Sequence, residues 1–344
     1  TLASESMFEY TSLHIVAAAD NTLITIDKTG NGASSDDISV TLNRGQTYFL
    51  SNGVNVGTRI TASDSTNGGA IKPIEVYMIS GDVNAVYENR WFALPASDQW
   101  GSSYYAPVYT TNTSAPAYVY LYNPDSSAIV VTYDTATTKG QTVNVGANST
   151  AYVAMPTTAS GAHFYTTGLY SGKNFYAIST IDSQATKNTT YDWSYSLVSE
   201  AYLTTKFVAG WAPGNGNVPP STATNASPLW VIATADTTLQ IDYNGDGTVD
   251  ATQPVKALEA FRVFDNSDNN QSGVAVWSNN GAMLAAAWGE DPSKAGAGTP
   301  FLDMGYTMLP YPETTVTKTS VLAADVNSNG IINPGDTVEY TITV

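Results

Sequence analysis

Oxygen-bearing side chains recur at every second position in IDYNGDGTVD, residues 241–250. This spacing matches the loop that wraps a chain around Ca²⁺, with glycine at position six allowing a sharp turn. The predicted ligands stand at positions one, three, five, seven and nine, with a backbone carbonyl serving at position seven: Asp242, Asn244, Asp246, Thr248 and Asp250. Position twelve is Gln253 instead of a bidentate glutamate, so we expect a modest affinity.

A second loop of this kind is DVNSNGIINPGD, residues 325–336, which fits the spacing better but has fewer charged ligands. Its predicted ligands again include one backbone carbonyl at position seven: Asp325, Asn327, Asn329, Ile331, Asn333 and Asp336. We predict structural Ca²⁺ in both loops. The alternative for each is a hairpin turn without metal, since Asn, Asp and Gly are common in turns. For Asp27 and Asn31, where Lys28 and Thr29 intrude, the pattern favours the plain turn.

Composition limits the partners. The chain has 30 acidic and 13 basic side chains and a net charge of −17, which repels nucleic acid and attracts divalent cations. We therefore predict no nucleic-acid partner.

No apolar run approaches the roughly 18 residues of a membrane span, so we also predict no membrane insertion. Cysteine is absent, which excludes disulfides and thiolate chemistry. The opening TLASESMFEY is typical of a mature or excerpted segment.

Residues that could act in catalysis are few. The two histidines, His14 and His163, lie in segments where packing or surface roles are more common than catalysis. The adjacent carboxylates Glu290 and Asp291 could serve acid–base chemistry on a glycoside, but neighbouring loop carboxylates are usually just solvated. No GxSxG elbow, HExxH helix or phosphate loop is present. We predict that the protein is not an enzyme, and a polysaccharide-active enzyme is the weakest alternative.

Aromatic residues suggest a further alternative. The chain has 7 Trp and 22 Tyr, which could form a stacking platform for sugars, with Trp193, Trp211 and Trp230 as candidates. Aromatic residues that alternate along a strand more often form a sheet face packed on a neighbour. Glycan binding is therefore a second hypothesis.

Strand patterns dominate the chain. Residues alternate between two faces in AYVYLYN (117–123) and in TVEYTITV (337–344), and segments rich in Gly, Asn, Asp and Ser separate such stretches. Candidate helical stretches, such as PVKALEAFRVF at 254–264, also alternate well enough to be strands. The sequence therefore predicts an all-β fold.

Internal repetition predicts the domain organisation. Residues 23–50 align with residues 239–264, which places Asp27 on Asp242, and residues 129–153 repeat the strand rhythm with Asp134 in the same position. We predict three β-sandwich-like modules, with propeller-like closure as the alternative. The predicted modules span residues 1–115, 116–222 and 223–312. We interpret the remaining segment, 313–344, as a linker followed by one orphan or donor strand.

Four segments carry a family resemblance: GQTYFL, GTRITASDS, IEVYMISG and FALPASDQWGSSYYAPV. Over residues of about 13–312 the chain resembles the extracellular repeat domain named for the N-terminal region of the IgG-Fc-binding protein. Residues 45–47, 57–60, 94–95 and 100–101 stand at the positions of that family's pattern. The family's cysteines and His-rich segment are absent, so the resemblance implies neither disulfides nor Fc binding here.

Residues 325–344 are similar to the start of the conserved Ig-like repeats of giant bacterial and archaeal surface proteins, which open with an acidic loop and a GDTVEYTITV-type strand. Together the two resemblances imply an extracellular prokaryotic protein of the cell surface or of an appendage. We predict a structural or adhesive, calcium-stabilised protein whose partners are other copies of itself or neighbouring surface modules. Donation of the last strand to a neighbouring copy would build a filament.

Overall fold

The computed structural model of the chain describes residues 8–32, 35–51, 53–81, 90–181, 193–213, 227–293, 304–310 and 317–343. It divides into two compact units, Thr1–Pro310 and Tyr311–Val344. In the described residues the regular elements are 25 β-strands and three short 3₁₀ turns. The all-β prediction is confirmed, and no described sheet closes into a barrel.

The first unit begins with a sandwich of seven strands, the first sandwich: β1 (Tyr10–Ala17), β2 (Thr22–Asp27), β3 (Ile38–Leu42), β4 (Thr47–Leu50), β5 (Arg59–Asp64), β6 (Ile74–Gly81) and β7 (Arg90–Ala93). Its two sheets have the orders β4-β1-β6-β7 and β3-β2-β5. Leu13 and Ile15 of β1 meet Ile24 and Ile26 of β2 in the core between the sheets. The alternation of these residues is the reason that each strand buries one face.

Eight strands form the second sandwich: β8 (Ser103–Ala106), β9 (Ala117–Asn123), β10 (Ile129–Thr135), β11 (Gln141–Val145), β12 (Ser149–Ala154), β13 (Ala162–Thr166), β14 (Tyr176–Ile181) and β15 (Trp193–Ser196). The sheet orders are β11-β10-β13-β8 and β12-β9-β14-β15. The 3₁₀ turn Ser97–Gln99 precedes β8, and a second turn, Gly168–Tyr170, lies between β13 and β14.

The third sandwich also has eight strands: β16 (Lys206–Val208), β17 (Leu229–Ala233), β18 (Thr237–Asp242), β19 (Ala251–Val255), β20 (Phe261–Val263), β21 (Ala275–Ser278), β22 (Leu284–Gly289) and β23 (Gly305–Thr307). Its sheets have the orders β16-β21-β18-β19 and β20-β17-β22-β23. The 3₁₀ turn Glu200–Tyr202 connects β15 to β16.

All three sandwiches share one topology. When the strands of the second and third sandwiches are numbered one to eight, the sheet orders are 4-3-6-1 and 5-2-7-8 in both. The first sandwich has the same orders when its strands are numbered two to eight, and strand one has no counterpart among its described residues. This confirms the prediction of three related sandwich-like modules.

The predicted module boundaries stay predictions. Strand pairing adds one observation, since β8 and β16 each lie on the earlier side of a predicted boundary. β8 pairs with β13 and β16 pairs with β21, so each belongs to the sandwich that follows it in the chain.

The second unit contains a two-stranded antiparallel sheet of β24 (Thr317–Ala324) and β25 (Thr337–Thr343). Residues 313–344 were predicted as a linker with one last strand, and the described part of this range contains two strands, so that the last strand has a partner within its own unit. Thr, Lys and Ser alternate with Val and Leu in TKTSVLAA, and this Thr-rich pattern has the strand propensity that the linker interpretation overlooked.

The second sandwich shares its core with the third. Trp230 and Ile232 of β17 and Ala285 and Ala287 of β22 belong to the same buried cluster as the core residues of the second sandwich. The indole of Trp193, fully buried at the start of β15, donates its Nε1–H to the carbonyl of Glu290 at 3.0 Å. The junction between these two sandwiches is therefore a continuous hydrophobic core.

The first junction repeats this arrangement. Phe92 of β7 packs against Tyr120 and Ile178, which are buried on the sheet of the second sandwich that carries strands five, two, seven and eight. The Ser196 hydroxyl donates to the carbonyl of Ala93 at 2.6 Å. At the equivalent place in the second junction, the Thr307 hydroxyl donates to the carbonyl of Ser196.

In each sandwich, strands five, two, seven and eight form one sheet, and one side of that sheet faces away from the sandwich's own core. We define the docking face as the row of residues that these four strands place side by side on that outer side. The rows are Phe49, His14, Tyr77 and Ala93 in the first sandwich, Tyr152, Tyr120, Ile178 and Ser196 in the second, and Arg262, Trp230, Ala287 and Thr307 in the third. The preceding sandwich covers the centre of this face, which is Tyr120 and Ile178 in the second sandwich and Trp230 and Ala287 in the third.

Close packing at the second junction generates a prediction. A Cβ at Gly289 would lie 2.5 Å from the ring of Trp193, so Gly289→Ala overpacks a buried contact. We expect a loss of about 1–3 kcal/mol in the free energy of unfolding, measured by chemical denaturation. Gly210→Ala is the matched control, because nothing lies within 4 Å of the Cβ it adds. Equal stability of the two variants would contradict the close junction.

Candidate functional site

The Asp242 loop is built around one buried carboxylate. Asp242 ends β18, and its side chain is turned inward beneath the loop that follows. Its Oδ1 accepts hydrogen bonds from the backbone N–H groups of Gly245 at 2.7 Å and Asp246 at 3.3 Å, and its Oδ2 accepts one from Gly247 at 2.8 Å. The carboxylate therefore holds the first half of the loop.

The other predicted ligands fasten the second half. Asn244 Oδ1 accepts from the N–H of Asp246 at 3.0 Å, and Asp246 Oδ1 accepts from the N–H of Thr248 at 2.8 Å. This bond from the Thr248 backbone is the largest cause that lowers the pKa of Asp246 below its usual value. Asp250 Oδ2 accepts from the N–H of Tyr243 at 2.7 Å and closes the loop.

The Asp325 loop of the second unit is held by hydrogen bonds of the same kind, from backbone N–H groups to side-chain oxygens. Asp325 Oδ2 accepts from the N–H of Gly330 at 2.7 Å, and this bond is the largest cause that lowers the pKa of Asp325. Asn329 Oδ1 accepts from the N–H of Ile331 at 2.8 Å. Asp336 joins the two ends, because its Oδ1 accepts from the N–H of Val326 at 2.8 Å and its Oδ2 from that of Asn333 at 2.7 Å.

The Asp27 loop shows that the first and third sandwiches repeat in detail. Asp27 Oδ1 accepts from the N–H of Gly30 at 2.6 Å and Oδ2 from that of Gly32 at 2.9 Å, the same spacing as at Asp242. Gly30 and Gly245 both have positive φ, +68° and +71°, and a Cβ at either would run into a glycine carbonyl across the loop. Only glycine fits both requirements.

The chemistry of these loops fits a hard cation only in part. In the described parts of the chain no three His, Asp or Glu side chains converge as a metal site. A cation would therefore need Asn and backbone oxygens as well, which are ligands that Ca²⁺ accepts. Each carboxylate oxygen can accept about two hydrogen bonds, so Asp242 Oδ2, with one N–H donor from Gly247, retains capacity for a ligand bond.

The candidate sugar-binding tryptophans separate into two groups. Trp193 and Trp230 are fully buried at the second junction, so their prediction as presented platform residues is wrong. Trp230 donates its Nε1–H to the carbonyl of Gly289 at 3.1 Å. Trp211 is 57% exposed, and its carbonyl accepts a hydrogen bond from the Tyr306 hydroxyl.

The carboxylates Glu290 and Asp291 are also buried at this junction, which corrects the expectation that they are solvated. Asp291 forms an ion pair with Arg262 and accepts a hydrogen bond from the Ser293 hydroxyl at 2.6 Å. The Arg262 guanidinium lies 5.9 Å from the ring centroids of both Tyr109 and Trp230. In this buried junction the charge of Asp291 depends on its ion pair with Arg262.

The two histidines pack in sheets, as the sequence analysis favoured. His14 contacts Phe49 edge to face. His163 stacks between Tyr105 and Tyr165, at centroid distances of 4.1 and 4.5 Å, and its Nε2 lies 2.7 Å from the Ser103 hydroxyl. Burial is the largest cause that lowers the pKa of His163, so the ring is neutral at pH 7.

One surface was missed by the sequence analysis: the docking face of the first sandwich. Phe49 is 49% exposed, and Trp91, two residues before Ala93 on β7, is 55% exposed. In the other sandwiches the central residues of this face are buried against the preceding sandwich, namely Tyr120 and Ile178 in the second and Trp230 and Ala287 in the third, whereas His14 and Tyr77 of the first are only half-buried. The edge position of the row is exposed in both the first and the second sandwich, since Tyr152 is 52% exposed. Alternation in the sequence shows that these residues share a face, but its exposure among the described residues becomes visible only when the three sandwiches are compared by topology.

Comparison with known proteins gives a family match over most of the chain. A family model described as IgGFc binding protein matches residues 2–289. No curated protein matches the chain. Among the described residues there is no helix long and apolar enough to cross a membrane.

The Asp242 carboxylate generates a prediction that is independent of metal. In Asp242→Asn an amide N–H₂ would face a backbone N–H in the loop, leaving a buried donor without an acceptor. We expect a loss of about 1–3 kcal/mol in the free energy of unfolding, measured in the presence of a chelator. Asp98→Asn, on the exposed Ser97–Gln99 turn, is the control and should be neutral. Unchanged stability of Asp242→Asn would show that the loop does not depend on the charge.

Proposed function

The chain belongs to the IgGFc-binding protein family, and from that premise we propose that it is a secreted, non-enzymatic structural and adhesive protein of a prokaryotic cell surface or appendage. The family is one of extracellular binding domains. The finer elements of the proposal, which are self-association, calcium stabilisation and surface location, are supported by features of this chain.

The observation that carries the structural role is the shared core at both junctions. Where flexible linkers join domains, relative motion is the default expectation. Here Phe92 is buried against the second sandwich, and Trp193 is buried against the third. A pull on one sandwich is therefore transmitted through packed side chains, which suits a protein that spans or builds a surface structure.

Structural Ca²⁺ is part of the proposal. The Asp242 loop would hold the ion with Asp242, Asp246, Asp250 and neighbouring oxygens, and the Asp325 loop would do so in the second unit. The net charge of −17 supports the proposal, because it favours divalent cations. A cation that binds only the folded state stabilises it by about 2.7 kcal/mol at a hundredfold excess over its Kd.

Electron microscopy of the full chain with Ca²⁺ and after chelation tests the proposal. We expect ordered assemblies with Ca²⁺ and isolated particles after chelation, together with a lower melting temperature because bound Ca²⁺ stabilises the folded loops. Asp246→Asn should weaken the Ca²⁺ response, whereas Asp98→Asn should retain it. Isolated particles with an unchanged melting temperature in both conditions would count against self-association and against calcium.

Glycan binding is the second candidate, and one observation favours it. The docking face of the first sandwich presents Phe49, His14 and Tyr77 in a row, with Trp91 beside it. Strands lie about 4.8 Å apart, so neighbouring side chains of the row could contact one ligand together. Because the rings of His14 and Phe49 meet edge to face, the stacking surface for a sugar would come from Trp91 beside the row. The Tyr77 hydroxyl, hydrogen-bonded to Glu75 at 3.2 Å, places polar groups at its edge.

A glycan array tests this candidate. We expect Trp91→Ala to lose binding to any glycan that the unchanged chain binds, because the truncation removes a stacking surface. Tyr152→Ala should retain that binding. Tyr152 is the matched control, since it is an exposed aromatic residue at the position in the second sandwich that Phe49 occupies in the first. An array without hits would remove the candidate.

A further inference from the structure

The two junctions differ in how far the hydrophobic core continues through them. At the second junction, buried residues of the third sandwich belong to the same cluster as the core of the second. At the first junction, Phe92, Tyr120 and Ile178 form a separate cluster of three buried residues. Among the described residues, the partly buried Met78 and Leu94 are the ones that connect this cluster to the core of the first sandwich. The first junction is therefore held by a smaller apolar contact.

Polar side chains also replace apolar ones where the preceding sandwich enters the first junction. Arg90 of β7 has the position of Trp193 on β15, since each lies three residues before the residue whose carbonyl accepts the hydroxyl bond between sandwiches. Ser80, which lies opposite Arg90, has the position of Ile181, which lies opposite Trp193. Arg90 and Ser80 are both buried. A guanidinium and a hydroxyl thus stand where the second junction has an indole and an aliphatic chain.

The sheet that receives these side chains differs in the same sense. Beneath the indole of the second junction lie Gly289 and Gly305, and the equivalent pair at the first junction is Thr180 and Ser194, both buried. The hydroxyls of this pair and of Ser80 have no hydrogen-bond partner among the described residues. A buried hydroxyl without a partner is unfavourable, because its bonds to water are lost and not replaced. Water that enters an opened junction restores these bonds.

We propose that the first junction is the release point of the chain, where the first sandwich separates from the second while the second and third remain docked. Separation gives up the Phe92 cluster and the bond from Ser196 to Ala93, and it leaves the core around Leu13 and Ile24 intact. Residues 94–102, which connect β7 to β8, then tether the two parts.

The release point adds a step to the structural role proposed above, because a chain under tension lengthens first at one defined place. It does not depend on self-association, on calcium or on surface location. Local opening of this kind takes place where few buried apolar contacts oppose it.

Thiol labelling of single-cysteine variants tests the release point, because the natural chain has no cysteine. Ile178→Cys at the first junction and Ile232→Cys at the second are a matched pair, since both replace a buried isoleucine. Ile232 lies at its junction, because a Cβ at Gly161 of the second sandwich would be 2.7 Å from it. Rates with a water-soluble reagent are divided by that of the exposed Thr41→Cys. We expect Ile178→Cys to react about tenfold faster than Ile232→Cys, or more.

Removal of the unpaired hydroxyls separates opening of the junction from simple exposure of the thiol. Thr180→Val and Ser194→Ala together remove two buried hydroxyls and nearly keep the shape of the contact. Added to Ile178→Cys, they should slow its labelling by about tenfold or more, because the closed junction becomes more stable. Added to Ile232→Cys, they should leave the rate unchanged. Circular dichroism checks that every variant is folded.

Two results would overturn the release point. One is labelling of Ile232→Cys at the same rate as Ile178→Cys or faster, which would mean that the second junction opens at least as readily. The other is labelling of Ile178→Cys that is unchanged by Thr180→Val and Ser194→Ala, which would assign its rate to exposure in the closed state.

Discussion

Burial of one sandwich's core beneath the next sandwich's sheet is the constraint on which the rest of the structure depends. Trp193 shows the reason, because its indole lies where side chains at Gly289 and Gly305 would otherwise stand. Large and small residues thus come from different sandwiches, and neither sandwich completes that part of its core alone. The hydroxyl of Ser196 or Thr307 then fixes the alignment by donating to the carbonyl of the equivalent residue in the preceding sandwich.

The sequence predicted the elements well and the contacts between sandwiches poorly, for one physical reason. Alternation in AYVYLYN places Val119 and Leu121 on one face of the strand, and the structure buries that face in the core. It also assigns Tyr120 to the opposite face, but only tertiary packing decides whether that face is wet or covered. The same limit made Trp230 look like a presented aromatic residue and Glu290 look like a solvated one. The repeat with its aspartate loops was readable, because a turn needs specific residue types at fixed spacing.

The question of metal or turn at Asp242 has a physical basis in the loop itself. A tight loop of this shape directs several N–H groups inward, and a carboxylate at position one satisfies them whether or not a cation is present. Asp27 makes the same bonds with a sequence that lacks most of the other ligands. The carboxylate is therefore needed by the fold first, and the proposed Ca²⁺ binding would depend on the later positions, where Asp246 and Asp250 stand in the Asp242 loop and Asn329 and Asn333 in the Asp325 loop.

The outward face of the first sandwich differs from the faces on which the second and third sandwiches are docked. At the second junction Gly289 and Gly305 make room for the preceding sandwich, and the equivalent pair at the first junction is Thr180 and Ser194. In the first sandwich this pair is Ile79 and Trp91, and Ala93 replaces the hydroxyl donor. A further sandwich docked in the same way would meet two bulky side chains and lose one hydrogen bond. These residues disfavour docking of a further sandwich on this face in the way seen at the two junctions, so the packing at each junction depends on small or hydroxyl-bearing side chains at these positions.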